Sequence, residues 1–254
     1  MRAGAPTAAW LPQQHGAWAM LVVPFVVAVA RTGLSAAQVA LFVAWLAGYF
    51  LFNAAGLWPR SGRRASYRLP LLVYGALTAL AGAVVVVLRP DLVRWAVAYL
   101  PLALISLAYS RRRKDRALGN DAVTIAAAAL FAAVTYDASA AGINQPGLVS
   151  WLVAALFAYF FGTSLYVKTI IRERANPAYH LASVAYHAAW ALVWVIAPAL
   201  GAPMGAGTHA ALVAFFAVLT VRAAVLAGQR AKPMHVGLGE MAASAAILAV
   251  CITW

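Results

Sequence analysis

Six carboxylates are the whole acidic complement of this 254-residue chain, against nineteen lysines and arginines, so chemistry that needs several acids has a small pool to draw on. His15 stands beside two amides in Gln13-Gln14-His15-Gly16-Ala17-Trp18. At the start of a helix such a cluster either satisfies free backbone groups or binds a polar ligand, and His15 is a candidate base. Lys168 and Arg172 are four residues apart, the spacing that puts two side chains on one helix face. Tyr166 precedes them, and Glu173, Arg174, Asn176, Tyr179, His180, Ser183 and His187 follow. Lys168 and Arg172 suit a phosphate. Glu173 either neutralises a neighbouring arginine or serves as a base. His180 and His187 share a face, but no carboxylate or cysteine accompanies them to complete a metal site. Glu240 follows Gly237 and Gly239, which would let a backbone or a ligand approach, and Arg222 or basic residues of the inner loops are candidate partners for it. An acid in an apolar helix is costly and normally paired. For Glu240 a structural and a functional role are equally open.

Two further segments are strongly basic. One runs from Asn53 through Trp58 to Arg60, Arg63, Arg64 and Arg68 and contains no acid. The other is Tyr109-Ser110-Arg111-Arg112-Arg113-Lys114-Asp115-Arg116. Such clusters attract anionic lipid head groups, by about 1 kcal/mol per basic residue near the surface. They also set membrane orientation with no ligand at all, and both readings stand.

The elements that carry these residues are apolar runs. Hydrophobic residues fill 65% of the chain and charged residues 10%, against the roughly 25% charged residues usual in soluble domains. Too little polar surface remains to cover a water-soluble exterior. The runs are rich in Ala and Leu and apolar all round, unlike the alternating strands of a membrane barrel. Nine are marked, at 15–31, 36–58, 69–88, 91–109, 118–136, 149–171, 180–200, 208–228 and 236–254, separated by prolines and glycines. An all-α polytopic membrane bundle of about nine transmembrane helices is expected, as a single integral membrane domain over 1–254. The first run is read as a retained helix rather than a cleaved leader.

Every second loop is basic, which places those loops and the N-terminus in the cytoplasm and the C-terminus outside. The expected location is therefore a membrane that borders the cytoplasm. The +13 formal charge is accounted for by these loops, so a nucleic-acid partner is not expected. Cys251 is the lone cysteine and lies in the last apolar run, which excludes intramolecular disulfides and multi-cysteine metal sites.

Three segments carry a resemblance to the YwiC-like family of bacterial membrane proteins: Gln14 through Met20, Arg172-Glu173-Arg174-Ala175-Asn176-Pro177, and Pro233 through Gly237 to Glu240. More distantly, the layout resembles the UbiA-type prenyltransferase superfamily. Its nine helices have active loops on the cytoplasmic side, where aspartates hold magnesium on a prenyl diphosphate. Asn53 falls where that superfamily's leading Asn would stand, and Tyr109 with Arg111 and Arg112 resembles its Tyr-Lys-Arg element. No aspartate follows Asn53, and Glu173 is the one acid in the later loop, so the usual two-ion magnesium site lacks its carboxylates.

The leading expectation is a UbiA-like bundle that binds an anionic, lipid-type ligand (a prenyl or lipid phosphate) at its cytoplasmic face. Arg64, Arg68, Arg112, Lys168 and Arg172 would hold the head group, with Asn53, Tyr109, Asn176, Tyr179 and Glu240 as further ligand contacts. If it is a transferase, His15 or Glu173 would be its base, and Trp18, Tyr109 and Tyr166 would face a developing cation. The alternatives are a transporter or permease for a small anion or metabolite, with Arg222 and Glu240 along its path, and a membrane scaffold without a ligand.

Overall fold

The computed structural model describes residues 7–12, 16–229 and 233–254, and the described residues form helices without a strand. A four-residue turn of helix, α1 (Thr7–Trp10), precedes nine longer helices. These are α2 (Ala17–Thr32), α3 (Ala36–Arg60), α4 (Arg68–Leu88), α5 (Ala96–Arg111), α6 (Leu118–Asp137), α7 (Pro146–Ile171), α8 (Pro177–Ile196), α9 (Ala206–Leu226) and α10 (Pro233–Ile252). Eight helical segments are long and apolar enough to cross a membrane, counting the short 3-10 turns before α4 and α5 and after α8 with their helices. The remaining one, α2, has 16 residues and carries Pro24 inside it. The chain is a multi-pass helical membrane protein.

Local chemistry explains the helix starts. Ser35 caps α3 by accepting from the Gln38 amide, while the Gln38 side chain accepts from the Ser35 amide at 2.8 Å. Pro146 and Pro177 occupy first-turn positions, where a missing N–H costs nothing, so α7 and α8 begin three residues before the expected apolar runs at 149 and 180. The Asn176 side chain caps α8 by accepting from the Ala178 amide at 3.1 Å.

The centre of the bundle is α7, which packs against α6, α8 and α10. Leu152, Ala155, Leu156, Ala158, Tyr159 and Phe160 of α7 are buried in the main core, with Trp194 of α8 and Phe216 of α9 against them. On one flank α6 touches α2 and α5, and α3 pairs closely with α4. On the other flank α8 pairs with α9, and α10 crosses back to α2. By contrast α4 and α5 leave Leu72, Leu80, Val87, Val97 and Leu100 exposed, as helices in lipid do.

The alternating path sorts the loops onto two ends. The basic end gathers the turns after α3, α5 and α7, together with the last turn of α9 and the first of α10. The opposite end gathers the turns after α2, α4, α6 and α8 with the last turn of α10. There, Asp137, only 2% exposed, accepts from Arg94 at 2.5 Å and from the Trp95 indole at 2.7 Å. Arg89 bonds Asp91 and donates to the Ser139 carbonyl at 2.7 Å. Arg31 donates to the Trp254 carbonyl at 2.7 Å, tying α2 to the end of α10.

Candidate functional site

The basic end is assembled by polar contacts between loops that lie far apart in sequence. Arg60, at the end of α3, meets Asp115 at 2.5 Å and the Ser110 hydroxyl at 3.1 Å, which pins the loop after α3 to the loop after α5. Burial pushes the Asp115 carboxyl up, but hydrogen bonds from Arg60 and Ser110 and the Arg60 charge outweigh it and hold the group below the ordinary aspartate value. Lys168, near the end of α7, meets Asp121 of α6 at 2.8 Å and donates to the Arg116 carbonyl at 2.6 Å. Ser164 also donates to Asp121, at 2.7 Å. Three arginine-bearing loops are thereby held side by side.

Within this end the expected site residues divide into two groups. Arg64, Arg68, Arg112 and Arg172 are exposed, and among the described residues none of them has an ion-pair partner. Two of their neighbours, Arg63 and Arg113, hold left-handed backbone conformations with φ of 59° and 57°. That region is unfavourable for a residue with a Cβ and is usually occupied by glycine or asparagine. The other group is already engaged. Lys168 is neutralised by Asp121, Asn53 donates to the Ala8 carbonyl at 2.9 Å and so anchors α1, and Glu173 accepts from Asn176 at 3.1 Å. Tyr109 packs on Gly119, and Tyr179 is half-buried in the first turn of α8. His15, Gln13 and Gln14 lie outside the described residues.

A second polar group lies inside the bundle. Arg222 of α9 donates to Glu240 of α10 at 2.8 Å, the pairing expected from sequence. Thr163 of α7 donates to the other Glu240 oxygen at 2.9 Å, and the Arg222 guanidinium sits 4.0 Å above the Tyr166 ring. Tyr159 shares a 2.9 Å hydrogen bond with Ser244. Gly237 and Gly239 have open space where a side chain would stand, and among the described residues no backbone approaches them. Of the two α8 histidines, His187 is fully buried against Gly162, and His180 packs on Gly228. Among the described residues no three His, Cys, Asp or Glu side chains converge as metal ligands.

Sequence reasoning passed over Asp121 and Asp137, and the signal that would have found them is the one used for Glu240. Both are acids within apolar helices, where a partner is required. An apolar cleft of about 310 Å³ also opens between α3, α4, α5 and α6, lined by Trp45, Trp95, Tyr99 and Phe131.

Fold and site together define a multi-pass helical membrane protein with one arginine-rich end and an ion pair inside the bundle. The chain belongs to the YwiC-like family. The family model described as YwiC-like protein matches residues 11–136, from the turn before α2 through α6. The uncharacterized protein YwiC of Bacillus subtilis is 33% identical over 200 residues, covering 78% of this chain and 80% of that protein. An uncharacterized protein of Haemophilus influenzae is 27% identical over 240 residues, 92% of this chain and 94% of its own length. No solved structure matches the chain.

Proposed function

We propose that the protein binds an anionic, lipid-type ligand (a prenyl or lipid phosphate) at its basic end, within a UbiA-like membrane bundle. The observation that carries this reading is the set of unpaired arginines held together there: Arg64, Arg68, Arg112 and Arg172, on loops pinned by Arg60–Asp115 and Lys168–Asp121. Guanidinium groups match phosphate oxygens two at a time. The engaged acids serve to fix the loops, and the exposed arginines face outward for the ligand.

Magnesium does not fit this site. Asp115 and Asp121 are occupied by Arg60 and Lys168, and Glu173 stands alone with Asn176. The head group is therefore held by arginine directly. For the tail, the cleft between α3 and α6 begins near Trp45, fifteen residues or about 22 Å down α3 from Arg60. That exceeds the half-thickness of about 15 Å of a bilayer core, so a chain longer than an ordinary leaflet is favoured. In this reading the protein sits in the bacterial inner membrane, with the basic end cytoplasmic and the C-terminus outside.

The test is native mass spectrometry of the gently purified protein, with lipid extraction, followed by titration with a prenyl phosphate. Retention of a long-chain phosphate is expected, and Arg64→Ala with Arg112→Ala should weaken its binding roughly thirtyfold. Bulk phospholipid alone, or unchanged binding in the double variant, would sink the head-group assignment. The transporter reading draws on Arg222 and Glu240, and uptake into proteoliposomes is the assay that would favour it.

A further inference from the structure

The ion pair within the bundle leaves part of Arg222 unused. Its Nη1 donates to Glu240, whose second oxygen is taken by Thr163, so the carboxylate has a partner at each oxygen. Arg222 Nε and Nη2 are buried and have no hydrogen-bond partner among the described residues. These two N–H groups lie parallel along one edge of the guanidinium, the edge that grips a carboxylate or phosphate with two hydrogen bonds. Buried donors on a charged group are seldom left unpaired, and each such case needs an explanation.

The neighbouring helix carries further unmet groups. His187 Nδ1 lies 2.7 Å from the Ser183 carbonyl. A carbonyl can only accept, so Nδ1 holds the proton, and in the neutral ring Nε2 is an acceptor. That Nε2 is buried without a donor among the described residues, and the Ser183 hydroxyl is likewise buried and unpartnered there. Arg222 lies four residues from the last residue of α9, about 6 Å along the helix, so the group is nearest the basic end. Deeper in the bundle the same helices are filled by rings, with Trp194 centred 6.0 Å from both Trp190 and Phe216. The polar layer thus lies toward the basic end, with aromatic packing filling the bundle beneath it.

We propose that the free Nε–Nη2 edge of Arg222 is an intramembrane subsite for an oxyanion, a carboxylate or phosphate group, while Glu240 holds Nη1. Glu240 acts as the internal competitor for the same guanidinium. The edge is sealed from solvent, so the anion enters by displacing the packing of α8 or α10 around it. This site is separate from the arginines of the loops, and either can fail without the other.

The test is calorimetric titration of the full-length protein in micelles with inorganic phosphate and, separately, acetate, at constant ionic strength set with chloride. Saturable binding of at least one anion is expected, and which one binds assigns the oxyanion. Arg222→Lys keeps the charge but loses the parallel donors, and should weaken binding about tenfold or more. Glu240→Gln removes the competitor and should tighten binding about tenfold, the reverse of what a merely destabilised bundle would do. No saturable binding of either anion overturns the proposal. So does unchanged binding in Arg222→Lys, or binding in Glu240→Gln that fails to tighten.

Discussion

The two ends of the bundle use arginine in opposite ways. At the opposite end all three arginines are committed: Arg31 to carbonyls at the end of α10, Arg89 to Asp91 and Ser139, and Arg94 to Asp137. Each joins two segments, and Asp137 is buried where they meet. At the basic end Arg60 and Lys168 do the same work, while Arg63, Arg64, Arg68, Arg111, Arg112, Arg113, Lys114, Arg116 and Arg172 have no ion pair among the described residues. Orientation in a membrane requires only that one end be more basic. Two of these arginines, Arg63 and Arg113, also sit in left-handed turns.

The comparison can be broken at its strongest point by Asp137→Ala. This change leaves the exposed Arg94 and the Trp95 indole without their acceptor, and the hydrogen bonds lost, made to a charged group, are worth about 1.5–3 kcal/mol. Unfolding in micelles should show that loss, and a change below about 1 kcal/mol would mean that the opposite end is not held by this pair. A smaller effect of opposite sign is expected at the basic end. Arg63→Gly and Arg113→Gly relieve the left-handed strain and should each stabilise by up to about 1 kcal/mol. If either variant destabilises, that arginine is held by contacts and is not free for a ligand.

The smallest effect tests whether the staples of the basic end are strong or merely positional. Arg60 and Asp115 are 39% and 36% exposed, so solvent screening limits the pair, and Asp115→Asn should cost under about 1 kcal/mol. Because the folded Asp115 value is depressed, its contribution is complete above the ordinary aspartate value of 3.8 and is lost as pH falls through the folded value. A stability difference between Asp115→Asn and the parent that persists unchanged well below that range would assign the effect to something other than this pair.

Much of the architecture was legible in the apolar runs. Lipid imposes one rule on every segment, and the nine runs correspond to the nine longer helices among the described residues, with ends shifted by a few residues. The shifts have a local cause: Pro146 and Pro177 look like loop residues in a hydropathy reading, yet they begin helices. Glu240 with Arg222 was legible because a carboxylate in an apolar run demands a partner. The links between loops were not, because Arg60 and Asp115 are joined where the loops after α3 and α5 meet, which no spacing in the chain encodes. Lys168 shows the same limit. Its type and position read as a phosphate ligand, whereas its neighbour across the helix interface is Asp121.

The brevity of α2 bears on the bilayer itself. Sixteen helical residues span about 24 Å, some 6 Å less than the roughly 30 Å hydrocarbon core of a typical membrane. Lipids beside a short span thin to match it, or interfacial groups are drawn inward. Trp18, in the first turn of α2 and 38% exposed, is the kind of ring that settles at such a boundary. A bilayer that met α2 along its helical length alone would be thinner there than beside α4.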